Sequence, residues 1–340
     1  MKKVSFYSLL FSVFTAAIFS LVACNETSDK KPEQAKLSIV ATIYPEYDWI
    51  KEILGSQADS VNLTLLLKNG IDLHSIKPTA QDIAKIASAD MVVYVGGESD
   101  EWIEDALKAT PKKGRSQINL VEVLGDRVKA EEIVEGMQGF ETKDERRETR
   151  EDAEENHEHG EEADEHVWLS LKNAEILVKA IAAELAKLDL ANASLYAENA
   201  NGYIAKIKAL DGEYRTSIEK ASRKTVLFGD RFPFRYLVGD YSIKYYAAFV
   251  GCSAESEASF ETIAFLAGKM DSDSLPAIFT LENSNKKIAN AILAASKNSK
   301  NAQILEINSM QSITEQQIIE GFSYLSIMQK NLDVLKKALK

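Results

Sequence analysis

An unbroken helical pattern of about thirty residues lies at the centre of this chain, from about Asn192 to Ala221, and it divides two series of short apolar runs. Within it Tyr196, Tyr203, Ile207, Leu210, Tyr214 and Ile218 recur at three-, four- and seven-residue steps, so they share one stripe. At 1.5 Å per residue such a helix is roughly 45 Å long, the length of two lobes rather than one. Gly202 and Gly212 weaken its propensity without breaking the stripe. The alternative is a plain surface helix of one lobe, but its place between two similar series favours a bridge.

The first series runs strand Leu37–Ala41, helix Asp48–Leu54, strand Val61–Leu66, helix Thr79–Ala87, strand Met91–Val95, helix Glu101–Leu107 and strand Gln117–Leu120. The second has strands at Thr225–Phe228 and Ile243–Phe249 and a helix at Phe260–Met270. Strands Ala277–Leu281 and Gln303–Ile307 then flank a helix from Lys286 to Ala295, and a final helix covers about Thr314 to Leu339. Strands alternating with helices call for parallel sheets covered on both faces. The expected architecture is α/β: two parallel-sheet βα lobes, 37–190 and 223–340, joined by a long rigid helix over 191–222.

Ligands of open parallel sheets bind beyond the carboxyl ends of the strands, so the turn residues there are the candidates. The chain has four histidines: His74, His157, His159 and His166. His74 ends the long turn Lys68–Pro78, and His166 follows an acidic stretch. Asp230 follows the strand at 225–228, Glu282 the strand at 277–281, and Asn308 the strand at 303–307. Neutral imidazole and carboxylate are the common partners of a transition metal, and two histidines with one or two carboxylates close a four- or five-coordinate site. Taken singly each residue has a plainer role: a surface histidine, or a helix cap for Asp230 and Glu282. His157 and His159 stand in the run Glu-Glu-Asn-His-Glu-His-Gly-Glu-Glu, which has no scaffold to fix their geometry, so they capture metal loosely at most.

The formal charge is −12, which disfavours nucleic acid as a partner. Much of it lies in residues 141–165, dominated by Glu and Asp and too poor in apolar side chains to bury, hence an acidic histidine-bearing loop. At the N-terminus, Met-Lys-Lys and an apolar stretch to Ala23 describe a secretory signal peptide over 1–23. Leu21-Val-Ala-Cys24 resembles the lipobox of bacterial lipoproteins, where the cysteine becomes the lipid-bearing first residue. Residues 24–36 then read as a tether, and the folded body is extracytoplasmic, lipid-anchored to a bacterial membrane, periplasmic or at the cell surface. Cys252 is the only other cysteine, so the body holds no internal disulfide and Cys252 is expected to be a small buried residue.

These motifs together resemble the solute-binding lipoproteins of zinc/manganese ABC transporters. The resemblance rests on the lipobox, Gly70-Ile-Asp-Leu-His74-Ser-Ile-Lys-Pro78, the acidic loop, Asp164-Glu-His166-Val-Trp-Leu169, the Tyr-spaced helix and Ala254-Glu-Ser-Glu257-Ala-Ser. It implies two βα lobes on a rigid helix, with a divalent ion held between them and passed to a membrane permease and its ATPase, without enzymatic chemistry and as a monomer. Carried over by position, His74 and His166 match the first two ligands. The third place is matched by Gly229 with Asp230 beside it, and the fourth by Asn308, so Asp230 and Glu282 are the substitutes expected. The histidine-bearing loop resembles that of the zinc members, which favours Zn²⁺ over Mn²⁺. Other classes remain open at this point. A metal-dependent surface hydrolase fits the same donors, although His-Glu-x-x-His and Gly-x-Ser-x-Gly are absent. An adhesin has no feature to supply it, and a siderophore-binding relative would need a cationic cleft, for which Arg231, Arg235 and Tyr236 are the one cluster.

Overall fold

The computed structural model describes residues 36–138, 163–251, 257–299 and 301–340. The signal peptide, Cys24, His157, His159, Cys252 and nearly all of the acidic stretch lie outside the described residues. One compact unit spans Leu37–Lys340.

The first half builds β1 (Ser38–Ala41), α1 (Tyr44–Leu54), β2 (Asn62–Leu65), α2 (Ala80–Ser88), β3 (Met91–Tyr94), α3 (Glu101–Ala109), β4 (Ser116–Asn119) and the short α4 (Leu120–Leu124). Its strands form a parallel sheet in the order β2-β1-β3-β4, with Val40 opposite both Thr64 and Val92. The second half builds β5 (Thr225–Phe232), α7 (Arg235–Asp240), β6 (Lys244–Val250), α8 (Phe260–Ser272), β7 (Ala277–Leu281), α9 (Lys287–Ala295), β8 (Gln303–Ile307), α10 (Glu315–Ile319) and α11 (Tyr324–Ala338). Its sheet repeats the pattern as β6-β5-β7-β8, again parallel. Between them run α5 (Leu171–Leu188) and the 28-residue α6 (Ala193–Lys220). The two-lobed α/β architecture therefore stands.

The predicted stripe is what α6 buries: Tyr196, Tyr203, Ile207, Leu210, Tyr214 and Ile218 all face the interior. They pack against α5, α1 and α11, so one apolar cluster runs from Ile39 and Trp49 through the helix to Phe228 and Ile307. Polar tips on that stripe find partners: the Tyr214 hydroxyl donates to Met328 O at 2.6 Å, and Tyr196 donates to Asp189 at 2.7 Å. This pairing lets the phenols be buried without the cost of an orphaned hydroxyl.

Three expectations need correction. The helix α5 is not among the predicted elements, although Leu171, Ala174, Leu177, Val178, Ile181 and Leu185 bury a helical stripe. The final helix is two: Gly321 adopts φ 85°, and Ser323 starts α11 by accepting from Ser326 N. Left-handed glycine stops a helix and a serine cap starts another. Third, β5 does not end at Phe228 but continues to Phe232, with a register shift between Phe228 and Arg231. Gly229 and Asp230 form this bulge inside the strand, not a turn after it.

Candidate metal centre

His74 and His166, 92 residues apart in sequence, meet with their Nε2 atoms 3.2 Å apart. Each arrives on a braced segment. In the turn before α2, Asn69 and Gly70 take positive φ (57° and 78°), and Asp72 then accepts from His74 N at 3.0 Å. On the other side the Asp164 carboxylate takes both the His166 N–H (3.0 Å) and the His166 Nδ1 (2.9 Å). His166 is fully buried and only 8% of the His74 side chain is exposed.

The hydrogen bonds on the far side of each ring fix the near side. Asp164 can only accept, so His166 carries its proton on Nδ1 and presents a bare Nε2. His74 Nδ1 lies 2.7 Å from Ser99 Oγ, and Ser99 N donates to Glu165 Oε1 at 2.8 Å. The Ser99 hydroxyl is also within hydrogen-bonding reach of Glu165; turned to that carboxyl it leaves His74 Nδ1 as the donor and its Nε2 bare as well. Burial first, and His166 second, lower the His74 pKa from 6.5 to about 4, so the ring is neutral at ordinary pH. Two imidazoles whose Nε2 atoms converge in this way are a pair of nitrogen donors of the kind a transition-metal cation takes.

Apart from Asp164 at His166 Nδ1, carboxylates surround the pair, and none among the described residues is hydrogen-bonded to either Nε2 atom. Glu165 Oε2 is buried with no hydrogen-bond partner among the described residues, and sits 3.9 Å from His74 Nδ1. Burial raises the Glu165 carboxyl above its ordinary range. At Asp72 burial pulls upward, but Arg231, paired with it at 2.7 Å, more than offsets that and leaves the carboxyl lowered. Asp164 and Glu165 belong by sequence to the end of the acidic loop; here they are core residues, tied in by Asp164 N donating to Lys129 O at 2.8 Å.

Asp230 and Glu282, the expected third and fourth ligands, are not brought to the histidines. Asp230 accepts from Arg231 N (3.0 Å) and Leu281 N (3.3 Å), which holds the bulge of β5 to the end of β7. Both oxygens of Glu282 are taken by Ser309, its N–H at 2.8 Å and its hydroxyl at 2.7 Å. Asn308 builds the turn, accepting from Met310 N at 2.8 Å. Among the described residues no three His, Cys, Asp or Glu side chains gather as a metal site.

What does reach the two Nε2 atoms is an amide. Gln311, 4% exposed, places its terminal group 2.8 Å from His74 Nε2 and 3.0 Å from His166 Nε2. Sequence reasoning passes over it because glutamine is not a habitual ligand. Its one signal is its place in the turn after β8, the strand end where a fourth ligand is expected. Trp168 closes the centre: its ring lies 5.3 Å from that of His166, and its Nε1 donates to Ser309 O at 2.8 Å.

With this geometry in view, comparison with known proteins gives a consistent answer. The family described as zinc-uptake complex component A, periplasmic (ZnuA), matches residues 39–338. The chain belongs to the ZnuA family. The ZnuA high-affinity zinc uptake system protein of Bacillus subtilis is 32% identical over 328 residues, covering 95% of each chain. The zinc-binding lipoprotein AdcA of Streptococcus pneumoniae is 32% identical over 339 residues, 99% of this chain but 61% of AdcA. Among solved structures, the Zn(II)-bound ZnuA-like domain of that AdcA superposes with a TM-score of 0.67 at 28% identity, covering 89% of this chain and 99% of that one. The periplasmic zinc binding protein TroA of Treponema pallidum, 22% identical with a TM-score of 0.69, shares the ZnuA fold.

Proposed function

We propose that this chain is the solute-binding component of a zinc ABC importer, which captures Zn²⁺ at His74 and His166 and hands it to a membrane permease driven by its ATPase. The observation that carries this is the convergence of two bare Nε2 atoms at 3.2 Å inside the body of a ZnuA-family chain. Burial keeps the His74 ring neutral, and the Asp164 carboxylate at Nδ1 turns the Nε2 of His166 inward, so the two nitrogens face one point. The chain is a transport component rather than an enzyme. Zinc is the ion that the relatives' names carry, and imidazole nitrogen suits it better than it suits manganese.

The siderophore reading loses its cationic cleft: Arg231 pairs with Asp72, Arg235 with Glu132, and the Tyr236 hydroxyl donates to Asp164 O. Location outside the cytoplasm follows from the family, and the lipid anchor at Cys24 is part of this proposal, as are the lobe boundaries at 190 and 223 and the monomeric state. Among the described residues no helix is long and apolar enough to cross a membrane. The test is zinc content of the purified full chain by mass spectrometry after equilibration with Zn²⁺. One tightly held zinc per wild-type chain is expected, lost in both His74→Ala and His166→Ala. Unchanged stoichiometry in the double variant would remove these residues from the site.

A further inference from the structure

Resting on that reading, we infer that Gln311 is the third zinc donor, through an amide that faces the histidines with its nitrogen when empty and turns its oxygen inward when loaded. The first half of this is the bonding on the page. Gln311 Nε2 lies 2.8 Å from one bare imidazole nitrogen and 3.0 Å from the other. An NH₂ group has two hydrogens, one for each lone pair. Two lone pairs 3.2 Å apart repel unless a donor serves both, and here the amide caps the pair from one side.

The second half comes from the other end of the same amide. Gln311 Oε1 lies 3.0 Å from Ser309 Oγ, while that hydroxyl is 2.7 Å from Glu282 Oε1. A serine has one proton for these two acceptors. With a carboxylate at 2.7 Å the proton goes to Glu282, and the amide oxygen then faces a serine lone pair. A half-turn of the terminal torsion of Gln311 removes the conflict: Nε2 donates to Ser309 Oγ, Ser309 Oγ donates to Glu282, and Oε1 points at the histidines. Which amide atom occupies which place follows from hydrogen bonding and not from shape, since the two ends are nearly isosteric. The turn therefore needs no movement of the backbone.

The resulting donor triangle suits zinc. With edges of 3.2, 2.8 and 3.0 Å, His74, His166 and Gln311 would be the residues to hold a metal at bond lengths of roughly 2.0–2.1 Å. Tetrahedral zinc wants about 3.3 Å between donors, so the three atoms need to spread by only a few tenths of an ångström. The place that a carboxylate was expected to fill is thus taken by a neutral oxygen, and Glu282 acts one step back as a positioning residue through Ser309.

Zinc affinity of the full chain, measured by competition with a coloured chelator, tests this, together with the visible absorption of the Co²⁺-loaded protein. Gln311→Leu should weaken zinc at least roughly tenfold and change the Co²⁺ bands, while Gln311→Glu, with an oxygen at the same spot, binds at least as well as wild type. Glu282→Gln should weaken zinc severalfold in the wild-type background and have no effect in Gln311→Glu, a coupling that mere loss of packing would not show. In ¹⁵N-labelled protein the Gln311 NH₂ resonances, assigned by their absence in Gln311→Glu, should shift on zinc saturation as their acceptor changes from imidazole to hydroxyl. If Gln311→Leu retains wild-type affinity and Co²⁺ bands while His74→Ala and His166→Ala lose zinc, this inference falls and the proposed function stands. If the histidine variants also bind normally, both fall. Unmoved NH₂ resonances at saturation overturn the amide turn.

Discussion

Asp100 is the buried acid behind His74, and Asp100→Asn should alter how stability depends on pH. Its carboxylate accepts from Val95 N at 2.7 Å and Gly96 N at 3.4 Å, and so shapes the turn that presents Ser99 to His74. The residue is 1% exposed and lies near the buried carboxyls of Glu46 and Glu165. Burial, helped by the Glu165 charge and opposed by the Val95 N–H, pushes its pKa from 3.8 up to about 7. Between those two values the folded protein holds a proton that the unfolded chain has released. The stabilisation is therefore complete below about pH 3.8 and is lost as pH rises through 7. At 1.36 kcal/mol per unit, a shift of this size amounts to about 4 kcal/mol, an upper bound where water or neighbours relax the site. Asparagine retains an acceptor oxygen for Val95 N and never ionises. Urea unfolding followed by far-ultraviolet circular dichroism, with chelator present, should show the variant gaining on wild type by roughly 2–4 kcal/mol between pH 4 and pH 8. Comparing the two proteins cancels the titration of all other groups to first order. A stability difference that stays flat over that range would refute the argument.

Asp164→Ala removes the acceptor that fixes the His166 tautomer and should weaken zinc by roughly 10–100-fold in chelator competition, with the fold intact by circular dichroism. Gly97→Ala places a methyl 2.5 Å from Glu165 Oε1 at φ 104°, so it should both destabilise the protein and lower zinc affinity, read by thermal melting and the same titration. Gly251→Ala brings a methyl within 2.8 Å of His166 Cε1 and 2.9 Å of Phe232 O, and should lower zinc affinity by displacing the ring. Zinc at about one hundred times its dissociation constant should stabilise the wild type by about 2.7 kcal/mol, a rise in melting temperature that chelator abolishes and that His74→Ala lacks.

The fold was legible wherever a pattern repeated. Strand–helix alternation gave both sheets, and the stripe from Tyr196 to Ile218 gave the central helix, because periodic burial leaves a periodic trace. Helix α5 carries an equally regular stripe, but it lies directly after the acidic run, and the break at Gly321 is hidden by apolar residues on both sides. Of the centre, His74 and His166 stand out by residue type, and His74 also by its place in the turn after β2. Asp230 and Glu282 looked equally well placed, but sequence position cannot say which way a carboxylate turns: one braces a bulge and the other holds Ser309. Gln311 was hard to see for the opposite reason, since its chemistry becomes visible only once two imidazole lone pairs are known to face it. Asp164 and Glu165 read as part of the loop because local composition cannot distinguish a solvated acid from one folded inward against a histidine.

Trp168 lies tilted against His166 and donates its indole N–H to Ser309 O, the residue that also contacts Gln311. One indole is thereby in touch with His166 and, through Ser309, with Gln311. Its emission should change colour or intensity when the centre fills, while Trp49 and Trp102, the other two tryptophans, lie on separate elements of the first half. The protein thus carries a native optical gauge of its own occupancy, readable without any attached dye.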